Sequence, residues 1–302
     1  MPSRLTTRDA LLAALAAVVW GANFAVIRLG VEDVPPLLLA ALRFTLVFAI
    51  AAPFVPRRGI PWRRLIPIGI ALGVGQFGCL FVAISLGMPS GLAATVLQAQ
   101  AVVTTVLAVA FLGERLTVRR IAGLAIAVAG IVLIGLDIGA STTVIGFALA
   151  LGGAASWAVS NVLTRRLGNV GGLSLVVWSS AASPVPLFAL SLIFEGPAEI
   201  GAALTHPTWG GAFAVTYLVL AATLLGYGIW NSLLGRYPAS TVAPFSLLVP
   251  PVGLLTGWLA YGETPTPLAL VGAALVVGGI AVANVVIRRR RAKVPVPARV
   301  GS

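Results

Sequence analysis

Charge is what this sequence has little of. Only 9% of its 302 residues are Asp, Glu, Lys or Arg, whereas a soluble domain carries roughly 25% because its surface must meet water. Too few charges remain to coat a globule of this length, so most of the surface must face lipid. Metal-binding and redox side chains are also scarce. The one cysteine, Cys79, has no intrachain partner, which excludes a disulfide or a thiolate metal cluster. The one histidine, His206, sits in a polar stretch, so neither a His-based metal site nor any other cofactor is expected. No Gly-rich phosphate loop ending in Lys-Ser/Thr occurs, which removes an ATP-driven pump. The serines in apolar runs have no histidine or carboxylate beside them, and an intramembrane hydrolase or lipid transferase needs such a pair. A membrane enzyme is therefore not expected.

What is present is apolar length. Hydrophobic residues make up 59% of the chain and the mean hydropathy is +1.04. A hydrocarbon core of roughly 30 Å needs about 20 apolar residues in a helix. Ten runs meet that length: 9–29, 35–55, 66–86, 90–112, 118–136, 143–164, 172–194, 209–232, 239–261 and 267–287. The first is long enough to be a helix, and its counterpart later in the chain argues against a cleaved signal. Pro and Gly punctuate the short links, as in Pro35-Pro36, Gly87-Met88-Pro89 and Tyr237-Pro238, which favours antiparallel neighbours.

The net charge of +12 is distributed as a topology signal. Basic residues fall in tufts between alternate runs: Arg4 and Arg8, Arg57 to Arg64, Arg115 to Arg120, Arg165 and Arg166, Arg236, and the tail from Arg288. Apart from these tufts only Arg28 and Arg43 occur, both inside runs, whereas Glu32, Asp33, Asp137, Glu195, Glu199 and Glu263 fall in the opposite links. Basic loops stay in the cytoplasm, so both termini are expected there. Tufts of this kind do not build one basic face with aromatic readers, which a nucleic-acid binder needs.

The chain also repeats itself. Residues 87–136 align without a gap on 236–285, matching Pro89 with Pro238, Gly113-Glu114 with Gly262-Glu263, Thr117 with Thr266, Gly123 with Gly272 and Gly130 with Gly279. Trp20, Asn23 and Arg28-Leu29-Gly30 correspond, with a one-residue slip, to Trp157, Asn161 and Arg166-Leu167-Gly168. Five helices per half is an odd number, so the halves insert with opposite orientation. The expected fold is an all-α membrane protein of ten transmembrane helices in two inverted five-helix repeats. They occupy 1–138 and 139–288, followed by a basic cytoplasmic tail at 289–302. Repeats of this kind underlie many secondary transporters, with substrate bound near the midplane.

Several strings carry a resemblance. Val19-Trp20-Gly21-Ala22-Asn23-Phe24, Leu42-Arg43-Phe44 and the two Gly-Glu helix ends resemble the EamA-type branch of the drug/metabolite transporter superfamily, over essentially the whole chain. Gly87-Met88-Pro89-Ser90-Gly91, Val96-Leu97-Gln98-Ala99-Gln100 and Gly226-Tyr227-Gly228-Ile229-Trp230 are most similar to its O-acetylserine/cysteine exporters. Asn231, where a smaller residue is expected, and the doubled Pro250-Pro251 depart from that pattern. The resemblance implies alternating-access efflux of small amino-acid-like metabolites across a bacterial cytoplasmic membrane. Abundant Ala, Gly and Arg with a single lysine, Lys293, fit such a GC-rich source. Export of aromatic amino acids or drugs, and uptake, stay open as alternatives. The protein would act among lipids as a monomer or homodimer.

Polar groups in hydrocarbon usually face a bundle interior or a wet cavity. The candidates for contact with substrate are Trp20, Asn23, Arg43, Gln76, Gln98, Trp157, Asn161, Trp178, Tyr227, Trp230 and Asn231. Arg43 lies about 12 Å along its helix at 1.5 Å per residue. It either attracts a substrate carboxylate or serves as a structural or snorkelling arginine. Amides suit a zwitterion because they donate and accept, or they bond between helices. Gln98 and Gln100 are about 200° apart on an α-helix, so they should not face one cavity together. Pro244, Pro250 and Pro251 free backbone carbonyls in one helix and could form a gate or a fixed bend. Glycine pairs 69/73 and 123/130 read as packing faces, and Glu114 and Glu263 as carboxylates ordering their own turns. No Asp, Glu or His lies mid-run, which disfavours proton antiport through a central carboxylate. Facilitated efflux, exchange, or coupling through a carboxylate at a helix end remain.

Overall fold

The computed structural model describes residues 5–114, 116–138, 142–168 and 171–284. The expected basic tail, with Arg4 and Arg115, lies outside the described residues. Every element is helical: α1 Thr7–Asp33, α2 Pro36–Ala51, α3 Trp62–Ser85, α4 Ser90–Leu112, α5 Val118–Leu136 and α6 Val144–Leu167. After these come α7 Gly172–Ser180, α8 Pro184–Phe194, α9 Pro197–Thr205, α10 Trp209–Arg236, α11 Ala243–Tyr261 and α12 Pro267–Asn284. Seven are long and apolar enough to cross a bilayer, and eight when the pair α7–α8 counts as one bent span. The other two apolar helices, α2 and α12, are shorter.

Local chemistry sets the boundaries. Threonine hydroxyls at positions 6, 117, 143 and 208 accept the N–H three residues on, at 2.9–3.3 Å, and so cap α1, α5, α6 and α10. Gly113 and Gly262 end α4 and α11 in the left-handed region, at φ of 67° and 63°, which glycine adopts without a Cβ clash. The single run expected over 172–194 bends by 43° between α7 and α8. Pro184 and Pro186 cannot donate to the carbonyls four residues back, so the helix ladder fails there. The segment 195–208 reads as a loop in sequence but contains α9, opened by Pro197.

Small residues set the closest approaches, as expected in lipid. A Cβ on Gly123 would meet backbone of Ala283 and Gly279 at 2.5–2.6 Å, and one on Gly130 would meet Gly272 O at 2.5 Å. These two crossings hold α5 against α12. Gly69 and Gly73 face Ser179 and Ser183, bringing α3 onto the α7–α8 bend. Gly21 lies against Val252, joining α1 to α11. The apolar centre runs through Ile27, Leu38, Leu39, Leu80, Phe81 and Leu92, all below 2% exposed.

The glutamates after the two left-handed glycines are not confined to their own turns. Glu263 Oε1 accepts from Ser90 N at 2.8 Å and Ser90 Oγ at 2.9 Å, while Oε2 accepts from Gly91 N at 3.0 Å. Arg28 Nη1 lies 2.6 Å from the same carboxylate. Glu263 therefore caps α4 from the end of α11. Glu114 instead pairs with Arg165 Nη1 at 2.8 Å and Arg120 Nη1 at 3.5 Å, and is one-third exposed. Thr266 donates to Asp137, another link between helices rather than within a turn.

Candidate functional site

Two helices leave the α-register near one cavity, the first where it lines the cavity through Gln76 and Phe77 and the second just before its lining residues Tyr227 and Trp230. Residues Ile70–Gly78 of α3 and Tyr217–Leu225 of α10 are π-helical, a form that often marks functional sites. In the second stretch Thr223 Oγ1 donates to Leu218 O, five residues back, at 2.7 Å. That leaves its oxygen to accept from Arg43 Nε at 3.2 Å and Nη2 at 3.0 Å. Trp20 Nε1 donates to Ala222 O in the same stretch at 2.9 Å, and Tyr217 Oη donates back to Val19 O at 2.8 Å. α1, α2 and α10 are thus tied together at mid-length.

A cavity of about 300 Å³ opens beside this junction, between α1, α2, α3, α4, α6, α10 and α11. Nine of the eleven residues expected to contact substrate line it: Trp20, Asn23, Arg43, Gln76, Gln98, Trp157, Asn161, Tyr227 and Trp230. Trp20 is at the centre of an aromatic wall, its ring 5.1 Å from those of both Tyr227 and Trp230. Arg43 is 2% exposed, and its guanidinium lies over Phe77 at 4.0 Å. Among the described residues it has no carboxylate partner, and its Nη1 has no hydrogen-bond acceptor. Asn23 Oδ1 and Gln76 Oε1 are likewise buried without a donor. Among the described residues no Asp or Glu lines the cavity.

Two expected residues lie elsewhere. Trp178 donates from Nε1 to Val55 O at 2.8 Å and packs edge-on against Phe48 and Trp62. It anchors α7 to the end of α2, because its position on the short α7 faces that junction. Asn231 abuts Gly172 at the start of α7. It comes directly after Trp230, and one residue turns a helix by 100°, so the two cannot share a face. Gln100 does reach the cavity together with Gln98. Gln98 lies in the 3-10 turn Leu97–Ala99 that leads into Gln100, and three residues per turn bring positions two apart closer in angle than an α-helix does. Gln100 Oε1 accepts from Asn161 Nδ2 at 2.9 Å, so this amide pair joins α4 to α6.

Of the three prolines expected to interrupt their helix, Pro244 lies in a non-α stretch, whereas Pro250 and Pro251 fall in the first turn of the α-helix that follows. An α-turn at Ala239–Val242 passes into a 3-10 stretch at Ala243–Leu248 before α-helix resumes at Val249. Pro250 is buried, whereas Pro244 and Pro251 are exposed. Ser246 and Val249 of this segment reach the cavity, as do Phe24, Phe77, Leu80 and Leu97. Sequence reasoning passed over these six. Leu80 could have been found from Gln76, since the residue four places on shares its helix face.

The comparisons with known proteins agree with this architecture. The profile of the EamA-like transporter family matches residues 8–136 and again residues 144–285. A protein of Escherichia coli (strain K12) named "Probable amino-acid metabolite efflux pump" is 40% identical over 294 residues, covering 95% of this chain and 98% of its own. A protein of Salmonella typhimurium with the same name is 43% identical, covering 91% and 94%. A "Probable terminal-alkyne amino-acid exporter" of Streptantibioticus cattleyicolor is 31% identical, covering 93% and 95%. One crystal structure superposes with a TM-score of 0.64 at 25% identity, over 93% of this chain and 97% of that one. Apolar helices, a polar cavity among them and a profile matched twice lead to one conclusion: the chain is a multi-pass membrane protein that belongs to the EamA-like transporter family.

Proposed function

We propose that the protein is a secondary transporter that exports small amino-acid-like metabolites, of the cysteine or O-acetylserine type, across a bacterial cytoplasmic membrane. The observation that carries this reading is the buried Arg43, whose Nη1 is unpaired in a cavity without a carboxylate. An isolated buried charge is expensive unless it is paired, and a substrate carboxylate is the partner that the site lacks. The names of the three relatives above supply the amino-acid class and the outward direction.

In this reading α2 and α12 complete ten spans and both termini are cytoplasmic. The halves 1–138 and 139–288 are inverted repeats. The double family match supports this arrangement, as do the π stretches at corresponding places in the third helix of each half. The α5–α12 crossings support it too, since Gly123 with Gly279 maps onto Gly272 with Gly130 under the repeat. Alternating access then has a simple physical basis. Cavity residues near the arginine-rich end (Asn161, Tyr227, Trp230 and Ser246) are partly exposed, whereas Asn23, Gln76 and Gln98 are buried. The acidic end is latched by Glu263 on the start of α4. Its counterpart Glu114 would latch the helix start after Pro238 in the opposite state, and Pro244, Pro250 and Pro251 give that segment its bend.

The test is flux of radiolabelled cysteine and O-acetylserine in proteoliposomes, with and without a pH gradient, for wild type and folded Arg43→Gln. Gradient-independent flux that the substitution abolishes is expected. Absence of flux for both compounds in wild type rejects the cargo, and unchanged flux in the variant rejects the role of Arg43.

A further inference from the structure

The cavity holds more unmet hydrogen-bonding groups than a carboxylate can satisfy. Arg43 Nη1 is an orphan donor, whereas Asn23 Oδ1 and Gln76 Oε1 are orphan acceptors, and all three are closed off from solvent. Their residues are 2%, 6% and 3% exposed. Buried polar groups nearly always have partners, and leaving one unpaired is unfavourable in a low-dielectric interior. The amides of Asn161 and Gln100, in the same cavity, are bonded to each other. Asn23 and Gln76 make no side-chain hydrogen bond among the described residues. Both residues line the cavity, and rotation about the last side-chain bond of an amide turns its carbonyl oxygen toward a ligand held there.

The chemistry these orphans require is a donor of several N–H groups placed beside a carboxylate. Among the described residues no acid lines the cavity, so a substrate cation would be received by neutral carbonyl oxygens and the aromatic faces of Trp20 and Trp230. A ligand carrying only positive charge would face Arg43 without compensation. A carboxylate lacking an amine would satisfy Arg43 and leave two acceptors unpaired. A free α-amino acid satisfies all three, because its ammonium has three donors next to the carboxylate.

Resting on the transport reading above, we infer that the amide oxygens of Asn23 and Gln76 receive the α-ammonium of a substrate whose carboxylate is held by Arg43. The cargo is therefore a free α-amino acid zwitterion, and N-acylated, desamino and esterified relatives are rejected. N-acylated and desamino relatives leave the carbonyls unpaired, which is how a site built to bond a substrate N–H excludes the analogue that lacks it, and esters leave Arg43 without its carboxylate.

The experiment is counterflow in proteoliposomes loaded with labelled cysteine, driven by unlabelled cysteine, S-methylcysteine, 3-mercaptopropionate, N-acetylcysteine or cysteine methyl ester. Melting-temperature shifts of the purified wild-type protein are read with the same set. Cysteine and S-methylcysteine are expected to exchange and stabilise. The other three should be weaker by about tenfold or more, as the loss of one buried hydrogen bond implies. In Asn23→Leu and Gln76→Leu the preference for cysteine over 3-mercaptopropionate should fall toward parity. Equal handling of cysteine and 3-mercaptopropionate by wild type overturns the inference and leaves the transport reading standing. Discrimination unchanged in both folded variants also overturns it. Failure of wild type to move or bind any member of the set overturns the transport reading and this inference together.

Discussion

Replacing Glu263 with Gln should unlatch the acidic end of the cavity. The carboxylate accepts from two backbone amides and a hydroxyl at 2.8–3.0 Å and lies 2.6 Å from Arg28. Glutamine keeps the shape but has one acceptor oxygen, so one α4 amide would face an NH2 group instead. Losing a capping bond destabilises by about 1 kcal/mol, and the remaining bonds lose their charge assistance. The Arg28 pair contributes less than about 1 kcal/mol because the arginine is one-third exposed. Together these amount to about 2–3 kcal/mol, which shifts the equilibrium toward the open form by roughly 30- to 150-fold. Leu97, buried on the cavity wall seven residues into α4, provides the reporter. In a Cys79→Ser, Leu97→Cys background, a membrane-impermeant maleimide applied from the acidic side should react faster by that factor with Glu263→Gln. The reasoning fails if the labelling rate is unchanged, or if Glu114→Gln raises it equally from the same side.

Arg43→Lys should lower transport efficiency by about tenfold or more, because a point charge cannot bond Thr223 and a carboxylate in the same fork; concentration-dependent flux measures it. Gly130→Leu should lower the melting temperature strongly, since its Cβ would meet Gly272 O at 2.5 Å and overpacking against backbone destabilises by about 1–3 kcal/mol or more. Gly228→Ala, with nothing within 4 Å of the new Cβ, should leave stability within about 1 kcal/mol of wild type by thermal denaturation. Trp230→Ala should weaken substrate binding several-fold, whereas Trp178→Phe should leave affinity intact and affect only stability, a contrast that competition counterflow and thermal denaturation separate.

Composition and run length announce the membrane class, because a hydrocarbon slab imposes a one-dimensional requirement that any window of about 20 residues can meet. The threonine caps and the left-handed glycines after α4 and α11 each depend on a few adjacent residues, although the reading of the sequence did not draw on them. Nine of eleven expected cavity residues are legible, because polar and amphipathic side chains in lipid have few other places to go. Trp178 misleads for the same reason: a tryptophan in an apolar run signals a polar tip needing a partner, and here that partner is the Val55 carbonyl rather than substrate.

Features that no reading of chain order could reach depend on partners far apart in sequence. Glu263 caps a helix 172 residues before it, and Arg43 is held by a threonine 180 residues away. The π stretches of α3 and α10, the 3-10 turn at Leu97–Ala99 and the bend at Pro184 each rotate the next length of helix by a fraction of a turn. Helical periodicity therefore stops predicting which side chains face inward. Hydropathy and charge are sums over neighbours along the chain, so the sequence alone could name nine of the residues that line the cavity. Which of them carry an unsatisfied atom is decided by the hydrogen bonds the others find in the packed bundle, and only the tertiary structure contains those.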